Sequence, residues 1–176
     1  MTDAPAPITI RPFEAGDAAD VKALFIRINR LLAPAAMRDA FEAYIRRSIA
    51  DEIGDIPAYY LTNGAFWVAR SDSMLAGMVG LEPVADTDAM EVRRMYVAPE
   101  MRRRGLARRL LAVAEDEARR RGVAAIELST SELQEAALAF YRAAGYAIER
   151  IAIIENTSNK SVGGGIHRTY FRKRIT

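Results

Sequence analysis

A β-rich segment that stops at a proline, a short basic loop with one glycine, and then an amphipathic helix constrain this chain more than any other feature of its sequence. The segment reads Glu91-Val92-Arg93-Arg94-Met95-Tyr96-Val97-Ala98-Pro99, followed by Arg102-Arg103-Arg104-Gly105-Leu106-Ala107. Leu106, Leu110, Leu111, Val113, Ala114 and Ala118 then share a helical face, and Gly122 stands where a helix commonly ends. The first N–H groups of a helix lack internal partners, and its dipole adds about half a positive charge there, so such a turn accepts a phosphate. Arginines flank this one.

Spacing separates the phosphate-binding loops that compete for this stretch. A P-loop needs Gly, four residues, then Gly-Lys-Ser/Thr, and a dinucleotide fingerprint needs three spaced glycines; Gly105 stands alone. The 176 residues suit a single domain, 1–176, with one core, and the 51% apolar content argues for a globular chain. No apolar stretch approaches the ~18–20 residues that span a bilayer. The start Met1-Thr2-Asp3-Ala4-Pro5 does not read as a signal peptide, so a soluble, cytoplasmic protein without membrane contact is expected. With no cysteine and one histidine, His167, the chain has no disulfide, no acyl-cysteine chemistry and no multi-histidine metal site, and no metal is expected. His167 reads as a hydrogen-bonded strand residue.

The net charge is only +2, yet the sequence pI is about 9.0 and basic residues cluster, as arginines at 102–104, 108–109 and 119–121 and as Arg172-Lys173-Arg174. Nucleic acid or a polyphosphate would suit the first cluster, but no aromatic residues interleave with it for base stacking, so no nucleic-acid partner is expected. The arginines at 119–121 read as a solvated helix end favoured by the dipole.

In chain order, 8–12 alternates as a strand ended by Pro12. Asp17 is an N-cap candidate for a helix reaching about Leu32, and a second helix runs from about Met37 to Ile53. Hydrophobic spacing makes Phe25, Ile28, Phe41, Tyr44 and Ile45 a core stripe. A hairpin follows at 66–69 and 75–81, then the strand at 91–97. After the basic loop and its helix, 123–128 is an apolar strand, so strand–helix–strand makes a parallel pair with a cleft where the sheet opens. A helix at 132–144, strands at 146–155 and 166–171, and a polar, glycine-rich, mobile loop at 156–165 complete the chain.

Two motifs in register carry a family resemblance. Arg102-x-x-Gly105-x-Ala107 resembles the acyl-CoA loop Gln/Arg-x-x-Gly-x-Gly/Ala of the GNAT N-acetyltransferases. Gln134-x-x-Ala137-x-x-x-Tyr141-x-x-x-Gly145-Tyr146 keeps the spacing of the family's later Asn-x-x-Ala-x-x-x-Tyr-x-x-x-Gly-Phe. Leu128-Ser129-Thr130-Ser131, Gln134 and Phe140-Tyr141 look most like the camello-like branch, where Gln134 in the asparagine position is a subfamily variation. The resemblance implies an α/β GNAT fold: a mixed, mostly antiparallel sheet of six to seven strands, a central parallel pair splayed at a bulge near Met95, and about four flanking helices.

It also implies the roles of residues. Acetyl-CoA would be the co-substrate, its pyrophosphate held by the loop backbone of Arg103, Arg104, Gly105, Leu106, Ala107 and Arg108, with Arg102 also on the cofactor side. Its pantetheine arm would pair with Met95, Tyr96 and Val97 as an added strand, and Gln134, Ala137, Phe140 and Tyr141 would complete the cofactor side. Tyr141 matches the tyrosine that protonates the departing thiolate, a role that competes with core packing. The base that takes the amine proton is Glu91, Glu82 or a water chain, since Ser129 stands where other members carry a glutamate. The acceptor is a small-molecule amine or a peptide, and a homodimer is an option because dimers are common in the family. Tyr59 and Tyr60, after Asp51, Glu52 and Asp55, are the acceptor-side candidates together with the loop at 156–165; cation–π contacts to an ammonium and simple core packing explain them about equally. The rival in another class is a non-catalytic acyl-CoA sensor that kept the loop and lost turnover.

Overall fold

The computed structural model describes residues 6–175. Met1, Thr2, Asp3, Ala4 and Pro5, weighed above as a signal-peptide start, lie outside them. Strands β1 (Ile8–Pro12), β2 (Ala65–Ser71), β3 (Met74–Pro83), β4 (Ala89–Val97), β5 (Ala125–Ser131), β6 (Ala147–Ile154) and β7 (Ile166–Arg174) form one seven-stranded sheet in the order β1-β2-β3-β4-β5-β7-β6. Every neighbouring pair is antiparallel except β4–β5. The helices are α1 (Ala18–Leu32), α2 (Arg38–Asp51), α3 (Leu106–Arg120) and α4 (Glu135–Ala143). Among the described residues, no helix is long and apolar enough to cross a membrane.

Helices cover both faces of the sheet centre, which is why β3 is buried at every position from Leu75 to Leu81. On one face Leu106 and Leu110 of α3 reach Gly77; on the other, Gly80 gives way to the Tyr60 ring, whose Cε1 a Cβ would meet at 2.6 Å. α1 contributes Val21, Leu24, Phe25 and Ile28 to the core and α2 contributes Phe41, Tyr44 and Ile45, the stripe expected from hydrophobic spacing.

The parallel pair is short by design of its neighbours. β4 and β5 pair only at Ala89↔Ala125, Met90↔Ile126 and Glu91↔Glu127, after which β4 runs on to Val97 without β5. β5 instead follows β7 out to Ser131↔Arg168. The cause lies on the opposite edge of β4. Met78 pairs with Tyr96 but Gly80 pairs with Arg93, so β4 carries an extra residue there, and Arg94 takes the left-handed conformation with φ 53°. A bulge of this kind bends its strand and increases its twist, which turns β4 away from β5 and opens the sheet at the expected place.

Local differences from the sequence reading have electrostatic causes. Asp17 does not cap α1 with its side chain. Its carboxylate instead accepts hydrogen bonds from the Glu14 N–H at 2.9 Å, Arg11 at 2.7 and 2.9 Å, and Arg70 at 2.9 Å. Charged donors on β1 and β2 outbid a neutral helix-start amide for the same oxygens. α4 begins at Glu135 because the Thr130 hydroxyl donates to Gln134 Oε1 at 2.6 Å and holds 132–134 as a turn. β7 runs past Phe171 to Arg174, paired with β5 on one side and with β6 through Ala147↔Arg172 on the other.

Candidate active site

The splay between β4 and β5 opens into a cavity of about 750 Å³. Its walls are residues 91–97 of β4, 129–131 of β5, the loop and first turn of α3, one side of α4, and parts of α1, α2 and the β6–β7 loop. Of the residues singled out in the sequence, Glu91, Met95, Tyr96 and Val97 line it from β4. Arg102, Arg103, Gly105, Leu106, Ala107 and Arg108 line it from the loop, and Gln134, Ala137, Phe140 and Tyr141 from α4.

Three candidates are not brought to the wall. Arg104 is not among the lining residues; its guanidinium lies 3.0 Å from the Met101 sulfur. Tyr60 is fully buried, its ring against Phe66 and Tyr59 and its hydroxyl donating to Glu52, so it cannot meet an acceptor. Tyr59 is half-buried with its hydroxyl toward Arg93 at 3.3 Å and also lies off the cavity. The loop after Glu52 continues as helical turns at Ile53–Asp55 and Pro57–Leu61, and those turns point both rings inward.

At the basic loop, Arg103 (φ 59°) and Gly105 (φ 72°) are both left-handed. Gly105 immediately precedes α3, and the helical ladder starts with the Arg109 N–H donating to the Gly105 carbonyl at 3.2 Å. The N–H groups of Leu106, Ala107 and Arg108 are left outside that ladder. A Cβ on Gly105 would meet nothing within 4 Å, so the space above the turn is open. Free amides, the dipole of a 15-residue helix and open space beside a bare backbone fit a polyphosphate such as that of coenzyme A.

Tyr141 stands on α4 with 7% of its surface exposed, packed between the rings of Phe140, Tyr146 and Phe171 at centroid distances of 5.3 to 6.0 Å. Burial, with a smaller contribution from Tyr96, pushes its hydroxyl far above the ordinary tyrosine value. The group therefore stays protonated, on a residue that lines the cavity.

Beside the cavity lies a buried charge network that sequence reasoning missed. Glu52 accepts from Arg93 at 2.9 Å, from Arg94 at 2.8 and 2.6 Å, from Asn159 at 3.3 Å, and from the Tyr60 hydroxyl. Burial alone would raise the Glu52 carboxyl, but the Arg94 hydrogen bonds and the charges of Arg94 and Arg93 bring it below its ordinary value. Arg94 also donates to the Tyr44 hydroxyl and to the Asn159 carbonyl, both at 2.5 Å, and lies 5.0 Å from the Phe25 ring centre. These contacts hold the bulge residue in place. Arg93 donates to Glu82 at 2.7 Å, and the Lys160 ammonium from the β6–β7 loop sits between Glu82, at 3.1 Å, and Glu91. Of the two base candidates, only Glu91 lines the cavity.

One signal for this network was available. Arg93-Arg94 fall between the apolar residues Val92 and Met95 of a central strand, and buried arginines require a partner. Nothing local marks Glu52 or Asn159 as that partner.

Comparison with known proteins agrees with this geometry. N-acetyltransferase family 8 member 3 of Rattus norvegicus is 33% identical over 112 residues, 60% of this chain and 49% of that protein. The Xenopus laevis protein named "Probable N-acetyltransferase camello" is 32% identical over 116 residues, 64% of this chain and 53% of the other. The chain thus spans about half the length of the curated relatives it matches. Among solved structures, the PaiA N-acetyltransferase of Thermoplasma acidophilum in complex with coenzyme A superposes with a TM-score of 0.72 at 19% identity, covering 96% of this chain and 99% of that one. YncA of Salmonella typhimurium, solved with acetyl-CoA, gives 0.68 at 17% identity, covering 97% and 95%. Residues 30–146, which include the splay, the basic loop and Tyr141, match the family model for the acetyltransferase (GNAT) family, and the chain belongs to that family.

Proposed function

We propose that this chain is an N-acetyltransferase that moves the acetyl group of acetyl-CoA to a primary amine of a small molecule or peptide, by direct attack with both substrates bound. The observation that carries the reading is the continuity of one cavity, from the open turn at Gly105, along the β4 edge that β5 abandons after Glu91, to Tyr141. The N-acetyltransferase names of the relatives support the reaction, and the coenzyme A and acetyl-CoA bound to the two structural neighbours support the donor.

Acetyl-CoA, when bound, supplies an activated thioester carbonyl. The chain's own residues then have separate tasks. The turn at 103–108 binds the pyrophosphate, and the β4 backbone at Met95, Tyr96 and Val97 pairs with the pantetheine arm. The bulge turns an N–H of this strand toward the thioester carbonyl, where negative charge develops during attack; loss of such a donor typically costs about 3–4 kcal/mol of barrier. Glu91 accepts the proton of the acceptor ammonium, and Tyr141 donates one to the leaving sulfur. Lys160 holds the Glu91 carboxylate in this structure, and an acceptor ammonium, being the same chemical group, competes for it.

The test is release of free coenzyme A thiol across a panel of amino acids, polyamines, aminoglycosides, cysteine conjugates and peptides, with the acetylated amine identified by mass spectrometry. Thiol release that depends on an amine, with N-acetyl product, is expected. Acetyl-CoA binding with no release from any amine is the behaviour of a sensor and overturns the proposal.

A further inference from the structure

Three arginines reach the acceptor side of the cavity, and two of them are neutralised. Arg93 and Arg94 lie 2.6 to 2.9 Å from the carboxylates of Glu52 and Glu82. Arg168 has no such partner. It stands on β7 opposite Ser131, at the end of the β5–β7 pair where β4 has already parted, and it lines the cavity. Its Nε donates to the Ser129 hydroxyl at 2.8 Å, and among the described residues no carboxylate comes within 4.0 Å of its guanidinium. Burial lowers its pKa, and the nearby Tyr44, Tyr170, Tyr96 and Glu91 offset only part of that. The charges around the acceptor side are Glu52, Glu82 and Glu91 against Arg93, Arg94, Lys160 and Arg168, a surplus of one cation.

An enclosed cation without a counter-ion is costly, and proteins keep one where a ligand supplies the missing charge. A guanidinium presents a planar fork of donors that matches a carboxylate in two parallel hydrogen bonds. A single surplus charge also suits a monoanion better than a phosphate dianion. Glu91, the proposed base, shares the cavity with Arg168. We infer that Arg168 is a specificity-determining residue that binds a carboxylate carried by the acceptor, with the acceptor's amine directed to Glu91. The acceptor is then an amino acid or a derivative with a free carboxyl group. The inference rests on acyl transfer to an amine as proposed above.

The experiment uses matched pairs, each a free amino acid and its amide, with aromatic, aliphatic, acidic and basic side chains. Thiol release gives kcat/KM, and titration of the corresponding N-acetyl acids and N-acetyl amides into the protein with coenzyme A gives binding that does not need turnover. The wild type should favour acid over amide by tenfold or more in at least one pair. Arg168→Met should erase that preference while acetyl-CoA affinity holds, and Arg168→Lys should restore part of it. Relief of an uncompensated charge should also keep the Tm of Arg168→Met at or above that of the wild type, where a purely structural arginine would lower it. If Arg168→Met does not fold, Arg168→Gln takes its place. Absence of an acid preference in binding, whether both forms bind equally or neither binds, overturns the inference, and so does a tenfold loss of acetyl-CoA affinity in the variant. Absence of thiol release with the acid preference retained in binding overturns the proposed activity alone.

Discussion

Tyr141 and Glu52 place opposite demands on burial at the scale of single residues. For Tyr141 burial keeps a proton on: the phenol stays neutral across physiological pH and keeps a proton to give. Tyr141→Phe keeps the ring between Phe140, Tyr146 and Phe171, so acetyl-CoA affinity should hold while kcat falls by about 10- to 10³-fold, the range of a lost general acid. Wild-type kcat in a folded variant, with chemistry rate-limiting, would reduce Tyr141 to packing. For Glu52 burial is tolerated only because Arg93 and Arg94 compensate the charge. Glu52→Gln removes the charge and strands the Arg94 guanidinium, while Arg93 keeps Glu82; breaking a buried pair in this way costs about 3–5 kcal/mol. Urea denaturation should show a loss of that size, and a loss under about 1 kcal/mol would mean that Arg94 finds another partner.

At the scale of elements, Asp17 ties the start of α1 to β1 and β2 through Arg11 and Arg70. Burial would raise its carboxyl, but the Arg11 hydrogen bonds, the Glu14 amide and Arg70 together lower it to about 2, against an ordinary 3.8. A carboxyl depressed on folding stabilises the native state above its unfolded value and loses that contribution as pH falls through the folded value. Asp17→Asn should therefore destabilise the protein by about 2 kcal/mol at pH 7, and the difference should shrink between about pH 4 and pH 2. A difference independent of pH, measured by denaturation at each pH, would contradict this account. The same pairings show what the sequence could and could not reveal. The order of strand, basic loop and α3 was legible because Pro99, Gly105, Gly122 and the helical periodicity are local signals. The bulge was legible only through family resemblance. The partners of Arg93 and Arg94 were not legible at all, because Glu52 is 41 and 42 positions away along the chain and Asn159 is 107 from Glu52. Tyr59 and Tyr60 lie off the cavity wall for a related reason: neighbouring carboxylates in sequence looked like an ammonium site, whereas in the fold Glu52 pairs with arginines.

For the molecule as a whole, one extra residue in β4 separates two central strands, and the wedge between them joins the start of α3 at Gly105 to buried Tyr141 and the Glu91 carboxylate. The account stands or falls on that wedge being where acetyl-CoA binds. Gly105 reports on it most directly, since its Cβ position is open and its left-handed φ of 72° places bare backbone beside the first turn of α3. Isothermal titration of acetyl-CoA should give one site per chain in the wild type. Gly105→Glu puts a negative charge into the turn and should weaken binding by tenfold or more, about 1.4 kcal/mol, while Gly105→Ala serves as the control for backbone strain without charge. Equal acetyl-CoA affinity in wild type and folded Gly105→Glu, or no acetyl-CoA binding to the wild type at all, would contradict the account.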